Sequence, residues 1–298
     1  MNVIFSQLTP PQMIEVIDFE TLLQERKEQL IAKWSSISDQ DYVRDMLNRD
    51  SEPLTKYLQE NVYRELLLRN RINTASQAVL LAYATGTDLD AVAANFDVKR
   101  LTVAAATSTS AAVYESDEDL RTRTQMKFDS LSTAGPENAY KYHAFSADGR
   151  VADVSVTSPN PAYVNITILQ KDADKNIAST ELIQKVANAL APESVRPIGD
   201  RITVKTAEII EYSIDASIYI GKDPEGATLL EQAKSNILAY TTKQKRLGRS
   251  IYLSEIYAQL HVTGVSHVVL NTPKNDTILT TEQASFCTNI NLTLAGVE

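Results

Sequence analysis

The hydrophobic pattern of this chain repeats about every 3.6 residues up to Arg150, and stretches that repeat every two residues enter only beyond it. No single regular element accommodates both periods, so the chain is expected to be helical up to there, with strands entering only beyond it. Asp18 to Trp34 carries Phe19, Leu22, Leu23, Leu30 and Ile31 at spacings that share one helical face. Ser51-Glu52-Pro53 then reads as a start signal, with Ser as cap, an acid in the first turn and Pro where a missing N–H costs nothing. From there an apolar stripe runs through Leu54, Leu58, Val62 and Leu66 and resumes as Leu68, Ile72, Ala75, Val79 and Ala82. A helix continuous to Ala84 would span ~45 Å. Gly86 suits the left-handed residue after its end, and Leu89, Val92, Ala93 and Phe96 give the next helix an apolar face.

Leu101 to Val113 reads as an extended connection. Ser116-Asp117-Glu118-Asp119 and Ala134-Gly135-Pro136-Glu137 then head two further helices. Beyond Arg150, Val164, Ile166 and Ile168 alternate with polar residues, as do Ile210 to Ile220, which is the pattern of strands with one wet face. The segment looks doubled: a strand at Tyr163 to Leu169, a helix at Thr180 to Leu190 and a strand at Asp200 to Val204 are echoed by Ile210 to Ile220, Thr228 to Tyr240 and Ser250 to Leu253. A short helix from Ser254 to Leu260 and a strand after Gly264 follow. The expected fold class is therefore multi-domain α+β, a helical region with a long bundle-forming helix followed by two small strand-helix-strand units. Its expected divisions are a helical region at 1–112, a helical connector at 113–150, α+β units at 151–207 and 208–273, and a C-terminal strand or arm at 274–298.

Site chemistry is sparse. The formal charge of −9 repels phosphate backbones, which argues against nucleic acid as a partner. Cys287 is the lone cysteine, so neither a disulfide nor a multi-cysteine zinc site is available. No stretch reaches the roughly 18 apolar residues of a membrane span, and Met1 to Ile17 lacks the pattern of an export signal. His143, His261 and His267 stand at no recognised metal spacing. Asp88 and Asp90 favour a helix start rather than shared acid/base work, and Ser266 and His267 are strand neighbours that point to opposite faces. Ser116 to Asp119 lacks the calcium-loop pattern, and Gly221 to Gly226 lacks the arrangement that cradles phosphate. Catalytic, metal and cofactor residues are expected to be absent.

Arg69-Asn70-Arg71-Ile72-Asn73, followed by Ala82 to Asp90 with Gly86, Leu89 and Asp90 at a helix-helix corner and by Val98-Lys99-Arg100, resembles the J-type baseplate assembly proteins of contractile-tailed phages and phage tail-like particles. The agreement continues in order through Glu115-Ser116-Asp117, Ser132 to Pro136, Tyr140 to Ala144, Val151 to Val154, Val195-Arg196-Pro197 and Leu247-Gly248, over about residues 65 to 273. The resemblance implies a structural wedge subunit of a tail baseplate, assembled in the host bacterial cytoplasm. It implies as partners a second copy of the chain, a small I-type tail protein, neighbouring wedges and hub or sheath-initiator proteins, with a role in relaying the signal for sheath contraction. The stripe residues Leu54, Leu58, Val62, Leu66, Leu68, Ile72 and Val79 are the candidate partner interface. A tail-associated cell-wall or saccharide-processing enzyme is the alternative, and it would need a cleft with paired carboxylates.

Overall fold

The computed structural model describes residues 8, 9, 11–131, 135–171, 174–193, 195–220 and 226–297. Residues 221–225 of the Gly221 to Gly226 segment and the Ser132-Thr133-Ala134 part of the shared pattern lie outside them. The chain forms two compact units, Met1–Lys99 and Arg100–Glu298.

In the N-terminal unit, helix α1 (Phe19–Ile31) starts at Asp18, whose carboxylate accepts the Thr21 N–H at 2.8 Å. Helix α2 (Ile37–Leu47) starts at Ser36, which caps Asp39 in the same way. Helix α3 (Pro53–Ala78) has Glu52 rather than Ser51 in the cap position, with no side-chain bond, so its start rests on Pro53. It stops at Ala78, short of the expected Ala84. At 26 residues it is ~39 Å long, and irregular turns lead to α4 (Gly86–Ala94). Gly86 does take a positive φ of +54°, but as the first residue of α4 rather than the terminator of α3.

The C-terminal unit begins earlier than the expected boundary at residue 112. The stretch expected to be an extended connection is a small antiparallel hairpin of β1 (Thr102–Ala104) and β2 (Val113–Tyr114), held to its own unit by ion pairs. Arg100 reaches Asp117 at 2.7 Å, and Glu115 pairs with Arg123 at 2.7 Å, both side chains being only 5% exposed. Helices α5 (Asp117–Met126) and α6 (Glu137–Ala147) follow, and Ser116 caps the first by accepting the Asp119 N–H.

The first sheet has the order β3-β4-β5, with β3 (Val151–Asn160) antiparallel and β5 (Arg201–Thr206) parallel to the central β4 (Tyr163–Gln170). Helix α7 (Thr180–Leu190) makes the crossover between β4 and β5. Leu182, Val186 and Leu190 of α7, with Tyr140 and Ala144 of α6, cover Val164, Ile166 and Ile168. The opposite face of β4 is not wet as expected, because Thr167 is buried and Leu169 packs with Ala207 and Ala284.

The second sheet has the order β7-β6-β8, and β6 (Glu208–Ile220) is flanked by antiparallel β7 (Val265–Thr272) and parallel β8 (Gln283–Val297). Helices α8 (Gly226–Gln244) and α9 (Leu253–Leu260) cover the buried side of β6 at Ile214, Ala216, Ile218 and Ile220. Each sheet has a central strand with one antiparallel and one parallel neighbour, but the chain order differs, since β3 precedes β4 whereas β7 follows β6. Ser250 to Leu253 is no strand: only Ile251 makes an isolated bridge, to Thr277. The parallel return of the second sheet is β8, so residues 283–297 complete that sheet.

Candidate interaction surface

Two stripes rather than one run along α3. A step from Leu66 to Leu68 turns the helix by roughly 200°, so residues on either side of that step face different directions. Leu54, Leu58 and Val62 are spent inside the chain. Val62 is fully buried with Leu22 and Leu23 of α1, and Leu54 and Leu58 pack on Ile31, Val43 and Leu47. Val62 thus belongs to the unit's own core, and Leu54 and Leu58 are half-buried against it. Leu66 is half-buried. Leu68, Ile72 and Val79 are 67%, 62% and 71% exposed, and Tyr63 and Leu67 are exposed beside them.

Polar contacts fix the buried side of α3. Glu65 takes Arg26 at 2.6 Å and Arg69 at 2.9 Å, and the Arg26 hydrogen bond is the main cause holding its carboxyl below the usual range. Asn73 is buried at a position where the stripe pattern offered no reason for a polar residue. Its side-chain amide donates to the Glu15 carbonyl at 2.8 Å, and its oxygen accepts the Glu15 N–H at 3.1 Å. That reciprocal pair fastens the segment ahead of α1 to α3. At the corner, Leu89 is fully buried and Ala84 nearly so, whereas a Cβ on Gly86 would meet nothing within 4 Å. Gly86 therefore serves backbone conformation alone, Leu89 anchors the corner and Asp90 is half-buried beside it.

The C-terminal unit contains a charged cleft of about 300 Å³, lined among others by Glu115, Glu118, Asp119, Arg123, Lys171 and Arg246. Two of its three acids are matched by cations. Glu115 is held by buried Arg123, and Asp119 accepts from Lys171 at 2.7 Å. Burial pushes the Asp119 carboxyl up, but Lys171, Ser116 and Arg246 more than offset this and hold it below its usual value. A glycosidase-type general acid needs the opposite shift. His143 has its pKa lowered, first by burial and then by Lys127, and His267 stacks on Tyr219 with ring centroids 4.2 Å apart. Cys287 is a half-buried free thiol whose pKa is raised by burial. Asp88 stands in the first turn of α4 as a helix-start acid. Among the described residues no group of three or more His, Cys, Asp or Glu could hold a metal ion, and no helix is long and apolar enough to cross a membrane.

A multi-domain α+β chain with neutralised charge clusters and an exposed apolar helix face is built for contact with other proteins. The chain belongs to the Baseplate J-like family: residues 50–107 match its N-terminal domain, 132–206 its central domain and 212–293 its C-terminal domain. It is 47% identical over 295 residues to Baseplate protein J of Escherichia phage P2, a match that covers 98% of this chain and 97% of that protein.

Proposed function

We propose that this structural baseplate protein is a wedge subunit of a contractile tail, that α3 presents its exposed face to a small I-type tail protein, and that the C-terminal unit meets neighbouring wedges. A second copy of the chain and hub or sheath-initiator proteins complete the set of partners. The action is mechanical. Repacking between such surfaces relays the signal for sheath contraction, since packed interfaces with two arrangements switch without a reacting group. Family membership supports the baseplate role.

One observation carries the docking role of α3: Leu68, Ile72 and Val79 form an apolar face that the chain leaves in solvent. Such faces mark protein interfaces. The test is the double variant Leu68→Glu, Ile72→Glu in the full chain, co-expressed with the other tail proteins of its particle. Both positions are solvated, so the melting temperature should stay within a few degrees of wild type, while co-purification with tail partners and particle assembly are lost. Assembly at wild-type levels would refute the proposal.

A further inference from the structure

The segment ahead of α1 is tied to α3 by an arrangement that the apolar stripe gives no reason to expect. Asn73 is 9% exposed, and its amide grips both backbone groups of one residue, donating to the Glu15 carbonyl at 2.8 Å and accepting the Glu15 N–H at 3.1 Å. Arg69, one turn earlier on the same side of α3, takes the Glu15 carboxylate at 2.9 Å. Beyond α3, the Tyr83 hydroxyl lies 3.4 and 3.3 Å from the carbonyls of Leu8 and Thr9. Asn73 reads backbone and Arg69 reads charge, so together they form a site for a single residue that carries a carboxylate.

Apolar burial does little to hold what lies in that site. Met13 and Val16 are 57% and 100% exposed, Ile14 is only half-buried, and the core begins at Ile17, which packs with Leu22, Leu23 and Val62. Segments with few buried contacts open locally, at a cost well below that of unfolding. Opening also hands the Asn73 amide to water, which satisfies the same donor and acceptor, so neither state leaves a buried polar group unpaired. We propose that residues 11–16 form a releasable strap: the chain fills the site at Asn73 and Arg69 with its own Glu15, and the strap swings about Ile17 while α1, α2 and α3 stay folded. The N-terminal unit thereby holds an element with two states, whose ratio shifts with any contact that favours one of them. The strap stands apart from the exposed face of α3 and does not depend on its role.

Native-state hydrogen exchange on the full chain tests this. The Glu15 N–H should be protected roughly ten- to thousand-fold over an unstructured peptide, yet exchange roughly ten-fold or more faster than the Leu23 and Val62 amides, through an opening that dilute urea does not promote. Asn73→Leu should bring Glu15 to the unprotected rate while Leu23 and Val62 keep theirs. Glu15→Gln should keep most of the protection, because the backbone grip survives. Exchange of Glu15 in step with Leu23 and Val62, with the same urea dependence, would overturn the proposal, since the strap would then belong to the cooperative core. So would exchange at the rate of an unstructured peptide, because the site would then stand empty in solution. Protection that Asn73→Leu leaves unchanged would overturn it as well, by showing that Asn73 does not hold the strap. The wild-type comparison needs no variant, so it decides even where Asn73→Leu does not fold.

Discussion

Glu115 and Arg123 show why polar residues recur in the shared pattern without forming a reaction site. Each is only 5% exposed, and Glu115 accepts from both Nε and Nη2 of Arg123 while also taking the Leu101 N–H. The pair ties the chain before β1 to the start of α5. Because both charges are out of water, removing one partner leaves the other uncompensated, so Arg123→Met should cost roughly 3–5 kcal/mol in chemical denaturation. Adding Glu115→Leu should recover most of that loss; a double variant no better than the single would mean that geometry rather than charge sets the cost. Gly86 makes a contrasting case. Its φ of +54° lies in the left-handed region and its surroundings are open, so the cost of Gly86→Val is conformational, about 1–3 kcal/mol, and Gly86→Asn should cost far less. Equal melting temperatures for the glycine and valine forms would refute this placement.

At the scale of elements, the junction of α6 and β3 is tuned by pH. Asp148 is partly buried, which raises its carboxyl, but the Arg150 side chain and backbone and the Lys185 ammonium outweigh this and bring it to about 2. A carboxyl whose folded pKa is depressed stabilises the fold above its unfolded value of about 4, and that stability disappears as pH falls toward 2. The urea midpoint of the wild type should therefore drop between about pH 4 and pH 2 by more than that of Asp148→Asn. Parallel curves would show that the carboxylate contributes nothing across this window. Much of the element map was legible in the sequence, because it follows from periodicity and caps. The alternation of β6, the cap at Ser116 and the break into period-two sequence all reflect local physics. Other elements were not legible. Strand β3 carries Asp153 and Pro159 and shows no sustained apolar alternation, while β8, an edge strand rich in Thr and Asn, alternates only late, at Ile290, Leu292 and Leu294, so that a strand and an arm read alike there. The candidate face was half legible. The stripe was visible, but the two-residue step within it sends Val62 into the core and Leu68 into solvent.

Over the whole C-terminal unit, the two sheets are less independent than two separate strand-helix-strand domains would be. Strand β5 passes into β6 through Ala207 alone, and the Ala207 N–H extends the β4–β5 ladder by donating to the Ile168 carbonyl. Leu169 of the first sheet, Ala207 of the link and Ala284 of the second share one buried cluster with Leu247 against it. Around it, Glu282 accepts from Lys205 at 2.6 Å and from Thr157 at 3.1 Å, and Asp153 accepts the Leu247 N–H at 2.9 Å. Strands joined by a one-residue link, a shared core and side-chain bonds should open as one cooperative unit. Ala284→Asp places an unpaired charge in that cluster, at a cost of a few kcal/mol. Hydrogen exchange should then accelerate at Ile166 and Ile168 of β4 as well as at Ile214 and Ile218 of β6. Faster exchange confined to the second sheet would mean that the sheets are separate bodies, unable to pass a displacement at one end of the unit to the other.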